Sequence, residues 1–264
     1  MLQPLVISAP FGNYVQPPGG GATATLGTFT ALRRPGRLLQ IIRTVRYAPR
    51  MGAWVNKLGL RNPGIDWLAQ RVRDGRVTVA DKLVSIHGLN DDEWRVLLEK
   101  AGALKPLGIE LNMSCPNIGH INWPPWLFAE AVKHAAAAGV LLIVKLPPVN
   151  YRDLFRQALG TGVRMFHCCN TLPVPAGGVS GKPLKPVALQ CIADVRSIAR
   201  VEAPDVQLTI IGGGGITTPA DIDDYAEAGA THFAIGTKCF NPGVLFGDGP
   251  LRPLIERAAA MQCE

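Results

Sequence analysis

A chain of 264 residues with 47% apolar and 18% charged side chains is too hydrophobic for disorder and has the length of one α/β barrel, so a single domain over residues 1–264 is expected. Its apolar runs, such as Gly139 to Val144, fall far short of the ~20 residues that span a bilayer, and Leu5-Val6-Ile7 come at once, without a basic or amphipathic leader. A cytoplasmic protein with no membrane partner is expected. The formal charge is +7, with a cluster at Arg33, Arg34, Arg37, Arg43, Arg46 and Arg50 that suits RNA, an anionic substrate or a solvated basic loop. No aromatic residues alternate with these arginines as a stacking platform requires, so a solvated loop is expected and nucleic acid is not.

Along the chain, short β-prone runs alternate with helical stretches, the pattern of parallel strands joined by crossover helices. Eight strands are predicted, near Pro4 to Ser8, Ala22 to Thr28, Leu83 to His87, Gly108 to Met113, Leu141 to Leu146, Arg164 to Cys169, Gln207 to Ile211 and His232 to Ile235. Helical periodicity falls on Asp91 to Ala101, Pro125 to Ala138, Tyr151 to Leu159, Pro186 to Arg200 and Pro219 to Ala228. The fold class is therefore α/β, a (β/α)₈ TIM barrel. Phe29 to Leu68, rich in Arg, Pro and Gly, is too long for an ordinary connection, and such segments usually carry function.

In such barrels chemistry collects where the strands end. Asn112, Ser114, Cys115 and Asn117 follow the fourth strand, Lys145 ends the fifth, and Asn170 and Thr171 follow the sixth. Gly212 to Gly215 follow the seventh strand, then Thr217-Thr218-Pro219 opens a helix; glycines let backbone N–H groups approach a phosphate, and a helix N-terminus favours its charge. Gly236-Thr237 after the eighth strand completes the cradle. The segment 176–181 reads by itself as a flexible loop.

Lys145 closes the apolar run Leu141 to Val144. Pointing inward it needs an anion to offset desolvation, and pointing outward it snorkels to the rim. Cys115 alone reads as a buried cysteine before a proline or as a base, and the flanking amides, which need partners if buried, favour a site. The cysteines at 115, 168, 169, 191, 239 and 263 lack paired metal spacing, so no metal is expected and five of them read as core or surface thiols.

The segments L-N-M-S-C-P-N (111–117), V-K-L-P-P (144–148), C-N-T (169–171), G-G-V-S-G-K-P-L-K-P (177–186), I-I-G-G-G-G-I (210–216) and I-G-T (235–237), with N-K-L-G-L-R-N-P-G (56–64), resemble the dihydroorotate dehydrogenases of class 1 in order and spacing. The resemblance implies FMN-dependent oxidation of dihydroorotate to orotate in pyrimidine biosynthesis. It implies Cys115 as the base that removes the C5 proton while hydride leaves C6 for flavin N5, where class 2 enzymes use serine. It places Asn56, Asn112, Asn117, Asn170 and Thr171 on the substrate. It places Ala9, Thr25, Asn112, Lys145, Gly181, Gly213, Gly214, Gly215, Gly236 and Thr237 on the cofactor. It also suggests a homodimer, and a separate electron-transfer subunit where fumarate is not the acceptor, because the chain has no cluster-type cysteine spacing of its own.

Two departures stand out. The family's lysine after the second strand, in a pattern like I-T-K-S, is Leu26 here, and Lys57 is the candidate replacement. Gly119 to Pro124 is expected to form a short loop over the site. Two rival readings remain. A tRNA dihydrouridine synthase-like enzyme would need an appended helical RNA-binding domain, and the N-P-G and P-N elements count against it. A flavin barrel acting on another small cyclic substrate, or serving as a partner subunit, draws on Leu26.

Overall fold

The computed structural model describes residues 1–17, 20–113 and 123–262. In chain order β1 (Leu5–Ile7) and β2 (Thr23–Phe29) are followed by α1 (Arg37–Thr44), β3 (Arg46–Ala48), β4 (Ala53–Asn56) and α2 (Ile65–Arg73). The regular alternation then runs β5 (Leu83–Ile86), α3 (Asp91–Ala103), β6 (Gly108–Asn112), α4 (Leu127–Ala138), β7 (Leu141–Lys145), α5 (Arg152–Gly160) and β8 (Met165–Cys168). After a hairpin, β9 (Leu172–Val174) and β10 (Gly177–Gly181), come α6 (Leu184–Glu202), β11 (Thr209–Gly213), α7 (Pro219–Ala228), β12 (His232–Ile235) and α8 (Arg252–Ala260). Strands β1, β2, β5, β6, β7, β8, β11 and β12 close into a parallel barrel, the expected (β/α)₈ architecture.

The period of two along each strand sorts its side chains between two environments. Val6, Leu83, Ile143 and Ile211 fill the lower barrel interior, while Leu5, Ile7, Val84, Val144 and Ile210 face the helices in the main core. One step further up the inward face, β6 carries Glu110 and Asn112, β7 carries Lys145 and β8 carries His167. The apolar plug below and the polar layer above thus follow from the same alternation.

Helix ends follow local chemistry. The Asn90 side chain accepts from Glu93 N at 2.9 Å and caps α3, whose first turn holds Asp91, Asp92 and Glu93. α4 stops at Gly139, which takes φ +68°.

The structure corrects two expectations. Segment 176–181 is not a loop: β10 pairs antiparallel with β4, Gly178 opposite Asn56, in the sheet β3-β4-β10-β9. The backbones approach so closely that a Cβ on Gly177 would lie 2.2 Å from Asn56 O, which is why the strand is glycine-rich. The basic stretch from Phe29 to Leu68 holds α1, β3, β4 and the start of α2 rather than one open loop. Cys168, Cys169, Cys191 and Cys239 are buried free thiols, and no group of three or more metal-ligating side chains forms among the described residues. No described helix is long and apolar enough to cross a membrane.

Candidate active site

A cleft of about 360 Å³ opens at the C-terminal rim of the barrel between the strand ends and the small sheet. Ala9, Lys145, Gly181, Gly213, Gly214, Gly215, Gly236 and Thr237, all expected at a cofactor, line it. A second pocket of about 140 Å³ adjoins it; Ala9, Asn56, Asn170 and Thr171 line both, and Asn112 lines the second. Residues scattered from position 9 to 237 therefore meet in one place. Thr25 does not: it is fully buried on β2, its Oγ1 has no hydrogen-bond partner among the described residues, and it lines neither pocket. Cys115 and Asn117 lie outside the described residues, as does the 119–122 part of the segment expected to cover the site.

The glycine loops form a cradle for an anion. Gly214 and Gly215 take φ +137° and +74°, and a Cβ on Gly215 would sit 2.8 Å from Gly181 O, so the loop after β11 can approach both a ligand and β10 only without side chains. Among the described residues, nothing accepts from the backbone N–H groups of Gly214, Gly215, Gly236 and Thr237. The helix that follows contributes less than its sequence suggests. Asp221 Oδ2 accepts from the N–H groups of Thr217 and Thr218, each at 2.8 Å, and Thr218 completes a capping box. The first turn of α7 thus satisfies its own donors. Burial works against the Asp221 charge, but the Lys185 ammonium and these donors hold its carboxyl well below the usual range.

Lys145 is 5% exposed, and its ammonium makes no hydrogen bond or ion pair with the described residues. It points into the barrel mouth, as the inward alternative requires, and the cleft it lines is where a partner would sit. Its nearest support is a buried pair that the sequence did not reveal. His167 Nδ1 and Glu110 Oε2 are 2.8 Å apart, both side chains 1% exposed. Burial opposes the Glu110 charge, yet Lys145 and the His167 hydrogen bond outweigh it and bring the carboxyl down to about 2. Burial and then Lys145 push His167 below its ordinary value, so the imidazole stays neutral and donates Nδ1–H to the carboxylate. Its other nitrogen lies toward Gly213, where a Cβ would meet Nε2 at 3.1 Å.

The second pocket is organised by amides. Asn170 Nδ2 donates to Asn112 Oδ1 at 3.0 Å, Asn112 Nδ2 donates to Thr28 Oγ1 at 3.0 Å, and Thr28 and Ser85 hydroxyls are 3.0 Å apart. Thr171 N donates to Asn170 Oδ1 at 2.8 Å. On the opposite wall Asn56 Nδ2 reaches Gly178 O at 3.5 Å, a long contact that leaves the amide adaptable. Neutral donors and acceptors on several sides of a small pocket match a flat polar ring. Beneath them His87 Nδ1 is 2.7 Å from Asn112 O, while Nε2, packed beside the rings of Trp94 and Trp123, has no hydrogen-bond partner among the described residues.

The rim thus combines a glycine cradle suited to an anion, a buried lysine without an ion-pair partner among the described residues, and amides suited to a flat polar ring. The family model described as dihydroorotate dehydrogenase matches residues 18–248. The chain belongs to the dihydroorotate dehydrogenase family, and thus to the oxidoreductases. It is 31% identical to the catalytic subunit of dihydroorotate dehydrogenase B (NAD(+)) of Trichlorobacter lovleyi, over 95% of this chain and 86% of that protein. It is also 31% identical to dihydroorotate dehydrogenase A (fumarate) of Lactiplantibacillus plantarum, over 73% of this chain and 69% of that one. The ligand-free DHODH of Eimeria tenella shares the fold, with a TM-score of 0.75 over 99% of this chain and 84% of that structure, at 20% identity.

Proposed function

We propose that this chain oxidises dihydroorotate to orotate in pyrimidine synthesis, with FMN in the larger cleft and the substrate in the smaller pocket. The observation that carries the reading is that Gly214, Gly215, Gly236 and Thr237, whose N–H groups find no acceptor among the described residues, lie along one cleft with the buried Lys145, which has no ion pair among them. FMN fits both features: the cradle accepts its phosphate, and the ammonium offsets negative charge on its ring. When bound, FMN supplies the hydride acceptor. Formation of the C5–C6 double bond of orotate removes a hydride from C6 and a proton from C5, and Cys115 takes that proton.

The remaining residues bind and orient. Asn56, Asn112 and Asn170 pair with the ring amides and carboxylate and hold the ring flat against the larger cleft, and a ligand without those polar groups would leave buried amides unpaired. The Glu110 carboxylate, held by His167, places a buried negative charge near Lys145. The proteins of Trichlorobacter lovleyi and Lactiplantibacillus plantarum carry NAD(+) and fumarate in their names. By analogy with the catalytic subunit named in the first, a separate electron-accepting subunit is the partner expected where fumarate is not the acceptor.

The test is an anaerobic absorbance spectrum of the purified protein before and after dihydroorotate, repeated with Cys115→Ala. A flavin spectrum that bleaches in the wild type and scarcely in the variant is expected. A bound flavin that stays oxidised in the wild type would refute the substrate assignment.

A further inference from the structure

A substrate with a carboxylate brings a full negative charge into a pocket whose amides can donate hydrogen bonds but carry no charge. Such a group loses hydration on entry, and a guanidinium offers the planar, two-pronged match to it. Two residues drawn from the sequence do not provide the cation. Leu26 is 3% exposed and packs in the main core. Lys57 is exposed and lines neither pocket.

Arg37 is placed to do so. It is the first residue of α1, is half-buried, and lines both the larger cleft and the smaller pocket. Its guanidinium lies 5.3 Å from the centre of the Tyr14 ring and makes no ion pair or hydrogen bond with the described residues. No Asp or Glu occurs before Asp66, so no carboxylate in the surrounding segment competes for it. Arg61 also lines the smaller pocket, but it is exposed and its Nη1 donates to Pro35 O at 2.7 Å. A cofactor phosphate would be held elsewhere, because the glycine loops after β11 and β12 line only the larger cleft.

We propose that Arg37 binds the carboxylate of the substrate and sets the preference of the pocket for anionic rings. The inference rests on the dihydroorotate reading and adds to it a residue outside the segments that resemble the family.

The experiment uses FMN-loaded wild type, Arg37→Gln and Arg37→Lys. Binding of orotate and of its uncharged methyl ester is followed by the change in the flavin spectrum, and FMN content is measured on the same samples. Arg37→Gln is expected to weaken orotate about 10- to 100-fold, as loss of a charged hydrogen bond does, with ester binding and FMN content unchanged. The KM for dihydroorotate should rise with little change in kcat, because the charge is present in substrate and transition state alike. Arg37→Lys should recover part of the loss. The inference is overturned if Arg37→Gln binds orotate as the wild type does, if orotate and ester weaken equally, or if only FMN retention falls. A wild type whose flavin neither responds to orotate nor bleaches with dihydroorotate refutes the dihydroorotate reading, and this inference with it.

Discussion

The two walls of the cleft are built on opposite terms. On the barrel side Glu110, Lys145 and His167 stand on three neighbouring strands, none more than 5% exposed. On the other side α1 buries none of its residues, and Leu38, Leu39 and Ile42 are 72%, 50% and 64% exposed. The buried charges sit where the backbone is locked by ladder hydrogen bonds on both sides. The α1 wall buries none of its own residues and is cheap to displace. In this chain, the buried charges and the exposed wall that carries Arg37 belong to separate parts of the sequence.

The comparison is broken most severely by removing the anion of the barrel wall. Glu110→Ala leaves Lys145 buried without its counter-field and His167 without its acceptor, and it should cost ~3–5 kcal/mol of unfolding free energy, read from denaturant midpoints. A loss below about 1 kcal/mol would mean that water reaches this layer and that the barrel wall is no more preorganised than α1.

A smaller effect is expected from His87, which burial lowers from 6.5 to about 4. The folded protein keeps the neutral ring, whereas the unfolded chain takes up a proton below pH 6.5. Stability from this residue is therefore complete above that pH and is lost as the pH falls toward 4, by about 3 kcal/mol. His87→Gln should flatten that part of the stability profile in thermal unfolding at stepped pH. An unchanged slope would assign the acid sensitivity to other groups. The smallest effect falls on the open wall: Ile42→Ser should change stability by no more than ~0.5 kcal/mol, and a larger loss in the same assay would show that α1 is covered in solution.

Much of this architecture is legible in the sequence, for physical reasons. All eight barrel strands were located because runs such as Leu141 to Val144 are β-rich and apolar on both faces, and α3 to α7 because their apolar spacing and Asp, Pro or Gly ends agree, whereas α2 and α8 were not read as helices. Helix α1 was missed although Leu38, Leu39, Ile41 and Ile42 fall at helical spacing, because this short stripe is set among Arg, Pro and Gly and stays largely exposed instead of facing the core. Strand β10 was missed because Gly177, Gly178 and Gly181 have no β propensity of their own. Their partner is β4, with Asn56 122 residues away from Gly178. The same limit hid the Glu110–His167 pair: each residue alternates correctly within its strand, but only barrel closure brings the two inward positions together. Arg37 belongs to a cluster that composition assigns to solvent, and only the packing of α1 over the rim separates it from its neighbours. The glycines and amides of the site were readable because their spacing relative to the strand ends is local.

Trp54 gives the small sheet an optical role. It stacks on Phe240 with ring centres 4.1 Å apart, lies 5.0 Å from Tyr47, and is the one tryptophan that lines either of the two pockets. A flavin seated beside an indole drains its excited state, so the emission of Trp54 should go dark as the cleft fills while Trp67, 44% exposed on α2, still emits. If FMN occupies the cleft as proposed, its loading can be timed by the protein's own fluorescence.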